Sequence, residues 1–238
     1  MGAAEAATSA TAKGGVPPRS IRVLVVEDQA MVRAGFCSLL MSEPDIQVCG
    51  SAATGREAIN LVGQIQPDVA IVDYFLGGGL EGSELVAAML DVRRGTLRVL
   101  SLSLHEEESV GERAIRAGAR GFLCKDQSAL HLVEAVRRLY HGGLYLSEGL
   151  LTRVSDLLTG GGGSRSPFSG LSDRELQVLR MIGTNLSLDE IARRLAISPR
   201  TVGTHRESLK RKLNVPDSHT LRLQAREWLS KGSGTLID

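Results

Sequence analysis

The chain has 238 residues, with 28 Lys and Arg against 27 Asp and Glu and a formal net charge of +1. That length suits two domains, and 42% hydrophobic residues let each bury a core of its own. With no apolar run long enough to span a membrane and no signal-peptide pattern, and with Cys37, Cys49 and Cys124 odd in number, the chain reads as cytoplasmic, without a membrane partner, a disulfide framework or a cysteine metal site.

Residues 1–20, MGAAEAATSATAKGGVPPRS, are rich in Ala, Gly and Thr and carry Pro-Pro near their end, the composition of a disordered tail. From 21 to 142, short apolar runs alternate with amphipathic stretches. Strands are expected at Ile21–Val26, Ile46–Ser51, Val69–Val72, Leu97–Leu102 and Gly121–Leu123. Helices are expected at about 30–42, 54–65, 82–91, 106–117 and 127–140. Five β-α units of this size imply an α/β fold, a doubly wound five-stranded parallel sheet with helices on both faces. In such folds functional groups gather outside the carboxyl ends of the strands.

The polar residues at those ends form one set. Glu27 and Asp28 follow the first strand, Asp73 the third, Ser101 ends the fourth and Lys125 follows the fifth. Carboxylates gathered at one rim repel each other and are tolerated when a hard cation such as Mg²⁺ sits among them. Lys125 offers a point charge for a phosphoryl group, and Ser101 a hydroxyl donor to one of its oxygens.

Residues 143–169 read as a linker with a helical start and a glycine-rich end, Gly160–Gly163 followed by Ser-Arg-Ser-Pro. Beyond it, 170–232 carries a smaller, all-α domain. Ser172 with Glu175 and Ser187 with Glu190 fit the capping box, and Ser198-Pro199 places a cap before proline at the first helical position. Leu176, Leu179 and Ile182, then Ile191 and Leu195, then Val202, Leu209 and Leu213 recur at helical spacing. Three short helices follow, the last two separated as in a helix-turn-helix. From 193 to 212 the bases are Arg193, Arg194, Arg200, Arg206, Lys210, Arg211 and Lys212, against the single acid Glu207. Such a local excess on a nearly neutral chain points to a polyanion partner.

The stretch IARRLAISPRTVGTHRESLKRKLNV is similar to the LuxR-type helix-turn-helix, and VVEDQAMVRAGF, VAIVDYF, VLSLS and ARGFLCKD resemble, in order, the blocks of the receiver domain of response regulators. Nearly the whole ordered chain thus resembles NarL/FixJ-type two-component response regulators. The resemblance implies that Asp73 accepts a phosphoryl group from a sensor histidine kinase. It implies that Glu27, Asp28, Asp73 and the Phe75 backbone carbonyl hold Mg²⁺, and that Ser101, Phe122 and Lys125 sense the phosphoryl group. The helical face of 106–117 and 127–140 would then change shape and form a homodimer on double-stranded promoter DNA, with RNA polymerase a further candidate partner. It makes Leu188–Ala196 the scaffold helix and Pro199–Leu213 the recognition helix. Arg200, Thr201, Gly203, Thr204, His205, Arg206, Glu207, Lys210 and Arg211 are its candidate DNA contacts. Thr201 and His205 are expected at phosphates and Gly203, Thr204 and Glu207 near base edges. Glu207 has two readings of equal standing: an acceptor for a cytosine amino group, or an ion pair with Arg211 one turn on.

Three positions depart from the family pattern. Gly77 stands where proline is usual, in a loop (DYFLGGGLEG) with an apparent extra residue; glycine replaces a frequent lysine at 203; and Phe122 lacks a hydroxyl. Phe75 and Ser103, flanking the acyl phosphate, orient no attacking water, so slow self-hydrolysis is expected. The alternatives are a phosphorylation-independent regulator of the same fold and, more distantly, an aspartyl-phosphate enzyme, for which Phe75 occupies the place of the second acid. No catalytic triad is evident, so an enzyme is not the expectation.

Overall fold

Val69–Asp73 (β3) is buried at all five positions, as a strand covered on both faces must be. The structure, a computed structural model, describes residues 20–77, 80, 82–104, 108–159 and 168–231. The expectations for 1–19, Gly78, Gly79, residues 106–107, Gly160–Gly163 and 232 lie outside the described residues.

Around β3 lie β1 (Ile21–Val26), β2 (Ile46–Ala52), β4 (Arg98–Ser103) and β5 (Gly121–Cys124), in the order β2-β1-β3-β4-β5. Every pairing is parallel. Between the strands run α1 (Ala30–Met41), α2 (Gly55–Ile65), α3 (Gly82–Val92) and α4 (Glu108–Arg116), with α5 (Ser128–Tyr140) after the last. Phe36 and Leu40 of α1 and Leu132, Val136 and Leu139 of α5 fill one face of the sheet. Val62 of α2, Leu85 and Met89 of α3 and Val110 of α4 fill the other. The expected α/β architecture is present, with boundaries within two residues of those read from the sequence. Because β1, β3, β4 and β5 are consecutive neighbours, their carboxyl ends form one continuous rim.

The expected linker from 143 is partly absorbed into this unit. Tyr145 pairs beside β5 as an isolated parallel bridge to Gly121. Phe122 N donates to the Tyr145 carbonyl at 2.8 Å and Tyr145 N to the Arg120 carbonyl at 3.1 Å. Helix α6 (Glu148–Thr159) then lies on α4, where Leu150 is 2% exposed. Gly111 makes that approach possible: a Cβ there would lie 2.7 Å from Leu150 Cδ2 and 3.3 Å from Phe122 Cδ1.

The helical unit comprises α7 (Asp173–Gly183), α8 (Leu188–Leu195), α9 (Pro199–Lys212) and α10 (Ser218–Lys231). Both capping boxes form, and Ser198 accepts from the Thr201 amide, each cap contributing about 1 kcal/mol. Ala196, the cap between α8 and α9, takes the left-handed conformation that turns the chain. The fourth helix was not among the three expected. Its buried Leu221, Ala225 and Trp228 do lie at helical spacing, and Asp217 caps it through Thr220 N at 2.8 Å. No described helix is long and apolar enough to cross a membrane.

Candidate functional site

Chain turns at the strand ends bring the expected acids together. Glu27, Asp28 and Asp73 each offer a carboxylate oxygen, all within 4.8 Å of one another. Glu27 and Asp73 are buried, while Asp28 faces solvent. Asp73 Oδ1 accepts from Phe75 N at 3.1 Å, a turn closed by the aspartate's own side chain. Asp28 Oδ2 accepts from Gly77 N at 3.3 Å. Proline at 77 would have no N–H to give, so the glycine there ties the loop to the acid set.

Lys125 Nζ lies 2.6 Å from Glu27 Oε2 and 2.9 Å from Asp73 Oδ2, with the three side chains 5%, 1% and 3% exposed. Burial pushes the Glu27 carboxyl up, the Asp73 charge adds to the rise, and Lys125 opposes both. Three carboxylates and one ammonium sum to −2, which a divalent cation would cancel. Hard oxygen donors at this spacing fit Mg²⁺, and a cation would also offset the burial and the Asp73 repulsion that raise Glu27.

Ser101 is register partner to Val72 on β3 and Phe122 on β5, so the three share one face of the sheet. Its Oγ is fully buried and has no hydrogen-bond partner among the described residues. Such a group costs about 1–3 kcal/mol and calls for an explanation. Phe122, 5% exposed, is already buried against the α4 backbone at Gly111.

On α9 the exposed members of the expected set are Arg200, Thr201, Thr204, Glu207 and Arg211; Gly203, His205, Arg206 and Lys210 are half-buried. His205 is tucked inward, where burial and the neighbouring Arg174 charge hold its imidazole below the usual range. Glu207 pairs with Lys210 Nζ at 2.7 Å and lies 3.8 Å from Arg206 Nε. The Arg211 pair is therefore not formed; Arg211 Nη2 instead reaches Ser208 Oγ at 3.4 Å. The i+3 lysine is nearer than the i+4 arginine on this turn. A Cβ at Gly203 would meet nothing within 4 Å.

A second polar cluster was not anticipated. Asp173, Tyr74, Ser83 and Arg113, far apart in sequence, meet between the two units. Asp173 opens α7 inside a capping box, where an acid is explained by the helix dipole alone, so no local pattern announces its other partners. One apolar cluster likewise runs unbroken from the α4 side of the sheet through Leu150 and Leu171 into the helical core.

Comparisons with known proteins agree on both units. Residues 23–137 match the model of the response regulator receiver domain, and residues 169–223 that of bacterial regulatory proteins of the luxR family. The oxygen regulatory protein NreC of Staphylococcus carnosus is 31% identical over 204 residues, covering 82% of this chain and 92% of that protein. The response regulator UvrY of Escherichia coli K12 is 31% identical over 197 residues, covering 82% and 88%. RcsB of Salmonella enterica serovar Typhimurium, solved bound to promoter rprA with the phosphomimetic BeF3⁻, shares the fold with a TM-score of 0.59 at 20% identity, over 89% of this chain and 99% of that one.

Proposed function

The chain belongs to the two-component response regulators that join a receiver domain to a LuxR-type DNA-binding domain, and from that premise we propose that phosphorylation of Asp73 by a sensor histidine kinase controls its dimerisation and promoter binding. An Asp73 carboxylate oxygen attacks phosphorus, the O–P bond forms as the phosphohistidine N–P bond breaks, and the imidazole leaves. Glu27, Asp28, the Asp73 carboxylate and the Phe75 carbonyl would hold Mg²⁺, which when bound neutralises charge on the transferring phosphoryl oxygens. Lys125, shared at rest between Glu27 and Asp73, turns to pair with the new phosphoryl charge.

The observation that carries this reading is the buried Ser101 hydroxyl, which has no hydrogen-bond partner among the described residues and lies on β4 one residue before the register partner of Asp73. A hydroxyl left unbonded at rest is accounted for by a ligand oxygen that it binds in another state. Drawing Ser101 toward that oxygen disturbs its strand partner Phe122 and, through Gly111, helix α4. Two chains paired in response would present two α9 helices to a two-fold DNA site, with Arg200, Thr201, Thr204 and Arg211 facing the duplex. Phe75, only 7% exposed and with the Arg180 guanidinium 5.1 Å over its ring, supports slow water attack on the phosphorylated form.

The test is incubation with phosphoramidate and Mg²⁺, followed by peptide mass mapping. The reading expects one phosphoryl group on the peptide carrying Asp73 and none in Asp73→Asn. Modification of another residue, or an unmodified wild type, would contradict it.

A further inference from the structure

The three acids of the site are held unevenly, and Asp28 is held least. Glu27 Oε1 accepts from the Gln29 amide at 3.1 Å and Oε2 from Lys125 Nζ at 2.6 Å. Asp73 Oδ1 accepts from the Phe75 amide at 3.1 Å, and its Oδ2 lies 2.9 Å from Lys125 Nζ. Both of these buried carboxylates thus have both oxygens engaged. Asp28 is exposed, and among the described residues the Gly77 amide, 3.3 Å from Oδ2, is the one hydrogen-bond donor to its carboxylate. An untethered exposed side chain samples several rotamers, and bringing it to a cation costs that freedom. The Gly77 N–H meets part of that cost before the cation arrives.

The loop after β3 is shaped to supply that donor. Phe75 and Gly77 are alternate residues whose amides reach Asp73 and Asp28, so one short segment ties the end of β3 to the end of β1. Glycine gives the N–H with least crowding of the acceptor: a Cβ at 77 would stand 3.4 Å from Asp28 Oδ2 and 3.3 Å from the Arg194 carbonyl. A carboxylate offers about four acceptor positions, so one accepted amide leaves Asp28 able to bind a cation. An entering cation therefore meets three carboxylates already within 4.8 Å of one another, the outermost of them tethered. A fixed set favours the smaller ion. Mg²⁺ demands near-ideal geometry at about 2.0–2.1 Å, whereas Ca²⁺ accepts a looser set at about 2.3–2.6 Å.

We propose that the Gly77 amide is a positioning group that holds Asp28 for the divalent cation and biases the acid set towards Mg²⁺ over Ca²⁺. This rests on the reading of Glu27, Asp28 and Asp73 as the cation site. Without the N–H, Asp28 turns freely in solvent while the site is empty, and cation binding has to order it. The ion with the stricter geometry loses more by that than the tolerant one. The glycine-rich loop thereby acts on which cation binds, through a backbone donor that no proline at this position could provide.

The test titrates the full chain with MgCl₂ alone and with CaCl₂ alone, reading the Asp28 and Phe75 amide shifts by NMR. Gly77→Pro removes the N–H, whereas Gly77→Ala keeps it and shares the added Cβ. Gly77→Pro is expected to bind Mg²⁺ roughly threefold to tenfold more weakly, the effect of one exposed bond to a charged group, while its Ca²⁺ affinity changes little. Gly77→Ala should bind both ions nearly as wild type does. Where proline disturbs the loop, exchange of the Gly77 amide for an ester removes the same N–H, keeps glycine's backbone freedom, and should give the same selective loss. Mg²⁺ affinity that is unchanged or raised without the N–H, an equal loss for both ions, or a Gly77→Ala variant as weak as Gly77→Pro would overturn the positioning role while leaving the cation site. No Mg²⁺ binding by wild type would overturn the cation site itself and the positioning role with it.

Discussion

Replacing Ser101 with alanine separates a residue kept for phosphate from one kept for the fold. The hydroxyl is fully buried without a hydrogen-bond partner among the described residues. Burying such a group costs about 1–3 kcal/mol, and alanine removes that cost while vacating the space of one oxygen. The unliganded variant is therefore expected to be more stable than wild type by about 1 kcal/mol in urea denaturation. With Mg²⁺ and beryllofluoride the sign reverses. A hydrogen bond to a charged oxygen contributes about 1.5–3 kcal/mol, so the variant should bind the probe at least roughly tenfold more weakly. Isothermal titration reads the binding. A variant destabilised by about 1 kcal/mol or more without ligand, or one with unchanged probe affinity, would refute the reasoning.

Lys125→Met leaves Glu27 and Asp73 buried without their cation, and removing one member of a buried ion cluster costs about 3–5 kcal/mol. Urea denaturation in EDTA should show a loss near 3 kcal/mol that Mg²⁺ partly restores; a loss below about 1 kcal/mol would contradict the account. Burial raises the Glu175 carboxyl, but Lys212 and the Ser172 and Ser208 contacts outweigh it and hold the group below its ordinary 4.5. Its contribution is therefore complete above pH 4.5 and fades as pH falls through the lower folded value, so the stability gap between wild type and Glu175→Gln should narrow only in that acid window. A gap unchanged down to complete protonation would show that the carboxylate charge contributes nothing. Gly203→Lys has open space and improves helix propensity by up to about 1 kcal/mol. It should raise non-specific DNA affinity and steepen the salt dependence by about 0.9 in log–log slope, read by fluorescence anisotropy; an unchanged slope would place 203 away from the backbone.

Local signals made most of this legible. Ser172, Ser187 and Ser198 cap the helices expected of them because capping is decided within four residues. Glu27, Asp73 and Lys125 meet because parallel strands in this order bring their carboxyl ends to one rim. Asp173 was not legible: its receiver partners lie 60 to 99 residues away in the chain, and its own position already has a local explanation. Tyr145 is illegible for a related reason, since a single parallel bridge beside β5 leaves no period to read. Helix α10 carries a weaker signal: its buried face, Leu221, Ala225 and Trp228, spans only two turns and has neither a capping box nor a proline at its start.

The most direct test of phosphoryl control is the DNA-bound and dimeric fraction of the full chain with and without Mg²⁺ plus beryllofluoride, in wild type and Asp73→Ala. The account predicts that both fractions rise in wild type and that neither rises in the variant. DNA binding and dimerisation that are already complete without the probe, and indifferent to Asp73, would contradict it.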